Sequence, residues 1–180
     1  VLQGLNVHPG GVYIDCTVGE GGHTLAMRKA TGPDSRLLGI DLDESALLVC
    51  RERLSQHEGR LVLAYGNFSE VNVLAYKHAF SQADGVLFDL GGSSLQLETS
   101  ERGFSFSREG PIDMRFDATQ KVSAHELVIT WTEQQLANIV FEFGEERMAR
   151  KVARAIVQAR PIKTTTELAS VISQTVGRLH

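Results

Sequence analysis

The chain has 180 residues, 42% of them hydrophobic, and 22 acidic against 18 basic side chains give a formal net charge of −4. That is enough apolar content to bury the core of one ordinary domain or one and a half, which excludes a disordered tail. Mild acidity argues against a nucleic-acid partner without forbidding one.

No apolar run reaches the roughly 18 to 20 residues that a membrane helix needs, and no basic segment precedes an apolar one. The chain therefore reads as soluble and cytoplasmic, with no membrane partner. It begins at Val1 and stops at His180 shortly after an amphipathic stretch, so both ends read as cut from something longer. Cys16 and Cys50 lie in apolar surroundings without a partner spacing, which fits small core residues in a reducing compartment and no metal site. Residues 1–97 hold 7 Lys or Arg against 11 Asp or Glu, and residues 98–180 hold 11 of each. Any basic surface must therefore come from the second half, where Arg147, Lys151 and Arg154 follow the i, i+4, i+7 spacing of one helical face. By itself that is an ordinary solvated face.

In chain order, four segments have strand character: GVYIDCT, RLLGIDLD, RLVLAYGNF and ADGVLFDLG. HTLAMRKAT follows the first and ESALLVCRERLSQ the second, both with helical spacing, and Asp43 and Glu44 are placed to cap the latter. Strands alternating with helices imply right-handed crossovers and a parallel sheet. Near-continuous apolar strands suit a sheet covered on both faces. The expectation is an α/β, Rossmann-like sheet whose first four strands lie in the order 3-2-1-4. Residues 93–121 show no clean periodicity and read as a long loop of the kind that carries function. From Ser123 the pattern turns helical in SAHELVITW, TEQQLANIVFEF, EERMARKVARAIVQAR and TTTELASVISQTVG. Ser123 with Glu126 and Thr132 with Gln135 fit capping boxes, and Thr165 or Thr166 is placed to start the last helix.

The stretch DCTVGEGGHT carries the first chemical signal. A strand that runs into a glycine turn and then a helix aims backbone N–H groups at a ligand, and glycine lets that ligand approach closely. A dinucleotide fingerprint would need a third glycine where Thr24 stands, which counts against a nicotinamide enzyme. Asp15 precedes Gly19 by four residues, and Asp41 closes the second strand at the place where such folds hydrogen-bond ribose hydroxyls. An acid opening the turn suits S-adenosylmethionine, which has no pyrophosphate and whose sulfonium cation favours nearby carboxylates. Phe68 after the third strand is placed to pack on an adenine, or else to close the core. Asp89 ends the fourth strand, at the sheet edge where open α/β folds bind ligands.

The segment DLGGSSLQLETSERGFSFSREGPIDMRFD, together with DCTVGEGGHT, GIDLD, GNF, FGEERMARKVARAIVQARP and TTTELA, resembles the bacterial MraW (RsmH) family. These strings occur in order over nearly the whole chain. The resemblance implies an S-adenosylmethionine-dependent methyltransferase acting on N4 of a decoding-region cytosine in 16S rRNA, within the small ribosomal subunit. It places cofactor contacts on Gly21, Gly22, His23, Asp41, Phe68, Asp89 and Gln96, needs no metal, and leaves room for a homodimer. It also implies a partial methyltransferase domain over residues 1–97, an active-site loop over 98–122 and an inserted all-helical substrate-recognition domain over 123–180. The family's opening segment and its later strands lie outside the chain. Gly92, Glu98 and Phe116 depart from the family's usual residues.

Methylating a cytosine amine requires holding its delocalised lone pair in line with the methyl and removing a proton. The Asp-Pro-Pro-Tyr turn of many amino-methyltransferases is replaced here by Asp89-Leu90-Gly91-Gly92. The catalytic expectation falls on Asp113 or Asp117, which flank Arg115, with Arg102 and Arg115 engaging RNA. An Arg–carboxylate network that only fixes the loop accounts for the same residues equally well. A related N-methyltransferase with a different RNA target, or a non-catalytic RNA-binding module, would keep much of this pattern.

Overall fold

The computed structural model describes residues 1–57 and 60–177 and divides into two compact units, Val1–Ser93 and Ser94–His180. In the first unit the order is β1 (Val12–Asp15), α1 (Gly22–Thr31), β2 (Arg36–Asp41), α2 (Glu44–Leu54), β3 (Leu61–Tyr65), α3 (Val71–Lys77) and β4 (Gly85–Leu87). The four strands pair in parallel in the order β3-β2-β1-β4, as the alternation of strands and helices requires.

Register and the two-residue period decide which side chains meet. Val62, Leu38, Ile14 and Val86 stand side by side across the sheet. On that face Ile14, Leu38, Ile40 and Ala64 form a core with Ala75 of α3 and Phe80. On the opposite face Tyr13 and Leu37 pack on Met27 of α1, while Leu61 and Leu63 adjoin Leu47, Cys50 and Leu54 of α2. Both cysteines are buried as expected, and burial pushes each thiol up to about 11, so neither is a ready nucleophile. Asp43 caps α2 by accepting from the Ser45 and Ala46 N–H groups at 3.1 and 3.4 Å.

The strands are shorter than their apolar runs, with β1 paired over Val12–Asp15 and β4 over Gly85–Leu87. Coverage on both faces holds for the inner strands only. β4 has three residues and a single ladder neighbour, and its Val86 is 41% exposed where Leu38 is 1%.

The second unit contains α4 (Ser94–Glu98), α5 (Ala124–Thr130), α6 (Glu133–Glu142), α7 (Ala149–Gln158) and α8 (Thr165–Val176). Ile112, Val128, Leu136, Ala137, Val152, Ala153, Ile156 and Ile162 make its core. The segment 93–121 is less of a loop than its sequence suggests. It holds α4 and a 3-10 turn at Ser100–Arg102, and its far end is tied down by main-chain bonds from Ala124 to Asp113 (2.8 Å), from His125 to Ile112 (2.6 Å) and from Thr165 to Gly110 (3.0 Å). Ile112, only 1% exposed, anchors it in the helical core.

Thr132 and Gln135 form the expected reciprocal box. Ser123 accepts from the Glu126 N–H. The last helix starts at Thr165, one of the two expected positions, and Thr164 with Glu167, three residues on, forms its capping box. The segment 145–160 also starts its helix later than its periodicity suggests. Glu146 turns its carboxylate to the Met148 N–H at 2.6 Å, α7 begins at Ala149, and Arg147 lies in the turn before it.

Gly103 in the tied segment combines a left-handed backbone with close approach of main chain. It sits at φ +71°, and an added Cβ would come within 2.2 Å of the Pro111 oxygen and 2.6 Å of the Asp113 nitrogen. Gly103→Ala is expected to destabilise the second unit by about 2 to 4 kcal/mol, combining left-handed backbone strain with a clash against main chain. Urea unfolding followed by the fluorescence of Trp131, the sole tryptophan and a neighbour of the helical core, measures it.

Candidate functional site

All four strands are parallel, so their carboxyl ends share one edge of the sheet, and Asp15, Asp41, Tyr65 and Leu87 are the last residues there. From this edge the chain runs into the turn DCTVGEGG. Gly19 and Gly21 adopt φ +50° and +81°, conformations that side chains other than glycine resist. At Gly21 a Cβ would also meet Cys50 Sγ at 2.7 Å, so this residue is glycine for packing against α2 as well as for the turn. At Gly22 nothing stands within 4 Å of an added Cβ, which leaves the start of α1 open to a ligand.

Two carboxylates hold the turn in different ways. Asp15 is 1% exposed and accepts from Thr24 Oγ1 at 2.8 Å and from the Thr17 N–H at 3.3 Å. Burial pushes its carboxyl above the ordinary range, and the two hydrogen bonds partly oppose that. Thr24, which breaks the dinucleotide pattern, is thus the buried partner of the acid that opens the turn. Asp41 is partly exposed; its Oδ2 accepts from the Gly19 N–H at 2.8 Å and its Oδ1 from the Asp43 N–H at 2.9 Å. Each carboxylate oxygen has two acceptor sites, so one on each remains for a vicinal diol.

On the other flank of β1, the Asp89 N–H donates to Thr17 Oγ1 at 2.8 Å, and the Asp89 carboxylate lies 3.0 Å from His23 Nε2. Thr17 went unnoticed in the sequence, where the only signal was a hydroxyl two residues beyond a strand end. Phe68 is 39% exposed and meets Phe88 edge-on at 5.9 Å. Gly21, Gly22, His23, Asp41, Phe68 and Asp89 all lie in the first unit, in or beside the segments that leave this sheet edge. An oriented carboxylate acceptor, an exposed aromatic ring and a second carboxylate form a set that suits an adenosine with a free diol and a cationic substituent.

Gln96, Asp113, Arg115 and Asp117 belong to the second unit. Gln96 is 3% exposed in α4. Asp113 and Arg115 form a two-pronged pair, with Arg115 Nε donating to Oδ1 at 2.8 Å and Nη2 to Oδ2 at 2.6 Å. Arg115 Nη1 also donates to the carbonyls of Ala118 and Gln120, and Arg102 Nη2 to those of Arg115 and Phe116. The Arg115 guanidinium holds the Asp113 carboxyl below its ordinary value. Of the two roles open to Asp113, this pairing opposes proton acceptance and supports fixing the loop.

The stabilisation from this pair has a defined pH range. A carboxyl whose folded value lies below its ordinary value of 3.8 contributes fully above about pH 3.8, and the contribution is lost as pH falls through the folded value. Asp113→Asn is expected to cost about 1 to 3 kcal/mol at pH 7, and the gap from wild type should shrink as pH drops below 3.8. Urea midpoints of the two proteins between pH 7 and pH 3 give the comparison; a gap that stays constant would show that the charge pair contributes nothing.

Comparison with known proteins identifies the family. The model of the MraW methylase family matches residues 1–180. A ribosomal RNA small subunit methyltransferase H from Dehalococcoides mccartyi is 44% identical over 179 residues, 99% of this chain and 51% of that protein. Proteins of the same name from Desulfotalea psychrophila and a Nostoc species are each 44% identical, over 98% and 100% of this chain and 61% and 60% of their own lengths. The chain thus spans about half to three-fifths of the relatives it matches. A family match over every residue, on a parallel sheet with a glycine turn at its carboxyl edge, means that the chain belongs to the MraW methylase family.

Proposed function

We propose that the chain is the S-adenosylmethionine-binding and RNA-recognising part of a methyltransferase that acts on N4 of a decoding-region cytosine in 16S rRNA of the small ribosomal subunit. The observation that carries this reading is the Asp41 carboxylate, oriented by two backbone N–H groups and closing the glycine turn of an MraW-family chain. The relatives' names, which specify ribosomal RNA of the small subunit, support the substrate class.

S-adenosylmethionine supplies an electrophilic methyl group on a sulfonium centre. Asp41 binds the ribose diol through its remaining acceptor sites, and Phe68 packs on the adenine. Asp89, held by Thr17 and His23, contributes negative charge that complements the sulfonium. Gly22 lets the cofactor approach the start of α1, Gly21 sets the turn that leads into it, and both, with Gln96, are cofactor contacts in this reading.

For the RNA, Arg102 and Arg115 shape the 113–117 segment and present cationic groups to phosphate or base. The cytosine amine loses a proton when it is methylated. Of the two acidic candidates, the reading assigns proton acceptance to Asp117, whose Oδ1 accepts from the Thr119 N–H at 2.7 Å and from Thr119 Oγ1 at 2.6 Å, and loop fixing to Asp113, which Arg115 grips through both oxygens. Asp113 then acts as a positioning residue for Arg115.

Asp41→Asn removes the charge and one acceptor oxygen. It is expected to weaken S-adenosylmethionine binding by about 10-fold or more, in line with about 1.5 to 3 kcal/mol for a hydrogen bond to a charged group. Titration calorimetry on this chain measures it, and affinity equal to wild type would remove Asp41 from the cofactor site. In the full-length protein, Asp117→Asn is expected to lower the rate of methyl transfer about 100-fold or more with cofactor affinity unchanged. A normal rate would exclude Asp117 as the proton acceptor.

A further inference from the structure

The helical unit has a groove of about 520 Å³ that the cofactor reading leaves unused. Gln134, Asn138 and Phe141 of α6 form one side, and their i, i+4, i+7 spacing places them in a single row. Arg147 from the preceding turn and Arg150 and Lys151 from the first turn of α7 form the other. The lining includes these three cations and no carboxylate.

The nearby charges are already placed. Arg154, one helical turn on, pairs with Glu133 at 3.3 Å, and the Glu146 carboxylate is turned to the Met148 N–H. Glu142 at the end of α6 and Glu145 on the connection after it are exposed and lie outside the lining. The side chains of Arg147, Arg150 and Lys151 have no hydrogen-bond or ion-pair partner among the described residues, and all three are exposed. Like charges crowded into five residues without a counter-ion repel one another, and a polyanion relieves that repulsion.

The α6 side supplies a different chemistry. Phe141 is 63% exposed, an apolar ring face offered to solvent beside cations. Gln134 Nε2 donates to Asn138 Oδ1 at 2.7 Å, which leaves the Gln134 carbonyl and the Asn138 amino group as a neighbouring acceptor and donor. A ring for stacking, an amide pair for a base edge and three cations for phosphates match an unpaired nucleotide with its flanking phosphates. A base inside a duplex could not reach Phe141. The volume lies within the roughly 300 to 1,000 Å³ of small-ligand sites.

We propose that this groove seats one unpaired nucleotide of the RNA substrate, with its base against Phe141 and its phosphates on Arg147, Arg150 and Lys151. The assignment rests on the RNA reading above and adds a recognition site in the helical unit.

The test measures binding of a fluorescently labelled single-stranded RNA of about 12 nucleotides to the 180-residue chain by anisotropy at several salt concentrations. Phe141→Ala is expected to weaken binding about 10-fold and leave the salt dependence unchanged, as loss of one stacked base predicts. Arg150→Glu combined with Lys151→Glu is expected to weaken it about 30-fold or more and to reduce the salt slope by about 1.4, two phosphates' worth at about 0.7 each. All three side chains are exposed, so circular dichroism should show wild-type folding, and calorimetry should show unchanged S-adenosylmethionine affinity. Wild-type RNA affinity in both variants would overturn the proposal, as would a folded wild-type chain that binds the cofactor but no RNA. Loss on charge reversal with no effect of Phe141→Ala would also overturn it, since that is diffuse attraction of a polyanion. Absence of cofactor binding in a chain that still binds RNA at the groove would count against the cofactor reading and leave this one standing.

Discussion

The contact on which the first unit's chemistry depends is the hydrogen bond from the Gly19 N–H to the Asp41 carboxylate. It ties the turn after β1 to the end of β2, twenty-two residues on, and leaves the carboxylate oriented yet accessible. The bond forms only because β1 and β2 are parallel neighbours in register, with Asp15 opposite Gly39 and Asp41 two residues further along β2. That register in turn follows from the two-residue period, which places Ile14 and Leu38 under α3 and Tyr13 and Leu37 under α1. A slip of one residue would turn these side chains to the wrong faces and carry Asp41 away from the turn.

The two acids of this region show how burial separates roles. Asp15 lies inside, with a carboxyl pushed up by burial and a threonine hydroxyl as partner, so it supports the turn from within. Asp41 reaches the surface and keeps acceptor capacity for a ligand. In the second unit Asp113 shows a third outcome, a carboxyl held low by a guanidinium that grips both of its oxygens. The same side-chain type thus stands as a buried strut, a partly exposed acceptor or a loop clamp, according to what surrounds it.

The helical unit divides its surface in a comparable way. Its core is assembled from α5 to α8, with Ile112 drawn in from the irregular segment before them. Tying that segment to the core by main-chain bonds places Arg102, Asp113, Arg115 and Asp117 on a defined scaffold despite the near absence of regular structure. In the same unit, Arg147, Arg150 and Lys151, before and at the start of α7, stand without a partner among the described residues, whereas one turn further along α7 Arg154 is matched by Glu133 at the start of α6.

What the sequence determined by itself was whatever depends on local spacing. The apolar runs and their alternation with helical periods specified four strands, their parallel order and the glycine turn, because these follow from hydrophobic period and crossover handedness. Asp43 as a cap and Thr132 with Gln135 as a box were legible for the same reason, since both partners lie within one turn. The tertiary structure alone decided the pairings between residues far apart in the chain. These are Thr24 on Asp15, Thr17 on the Asp89 backbone and the anchoring of residues 110–113 to α5 and α8. It also decided that Arg147 stands outside α7, in a turn where the Glu146 carboxylate accepts from the Met148 N–H. Periodicity reports which face a residue is on, whereas the partner it meets there depends on packing between segments that share no local pattern.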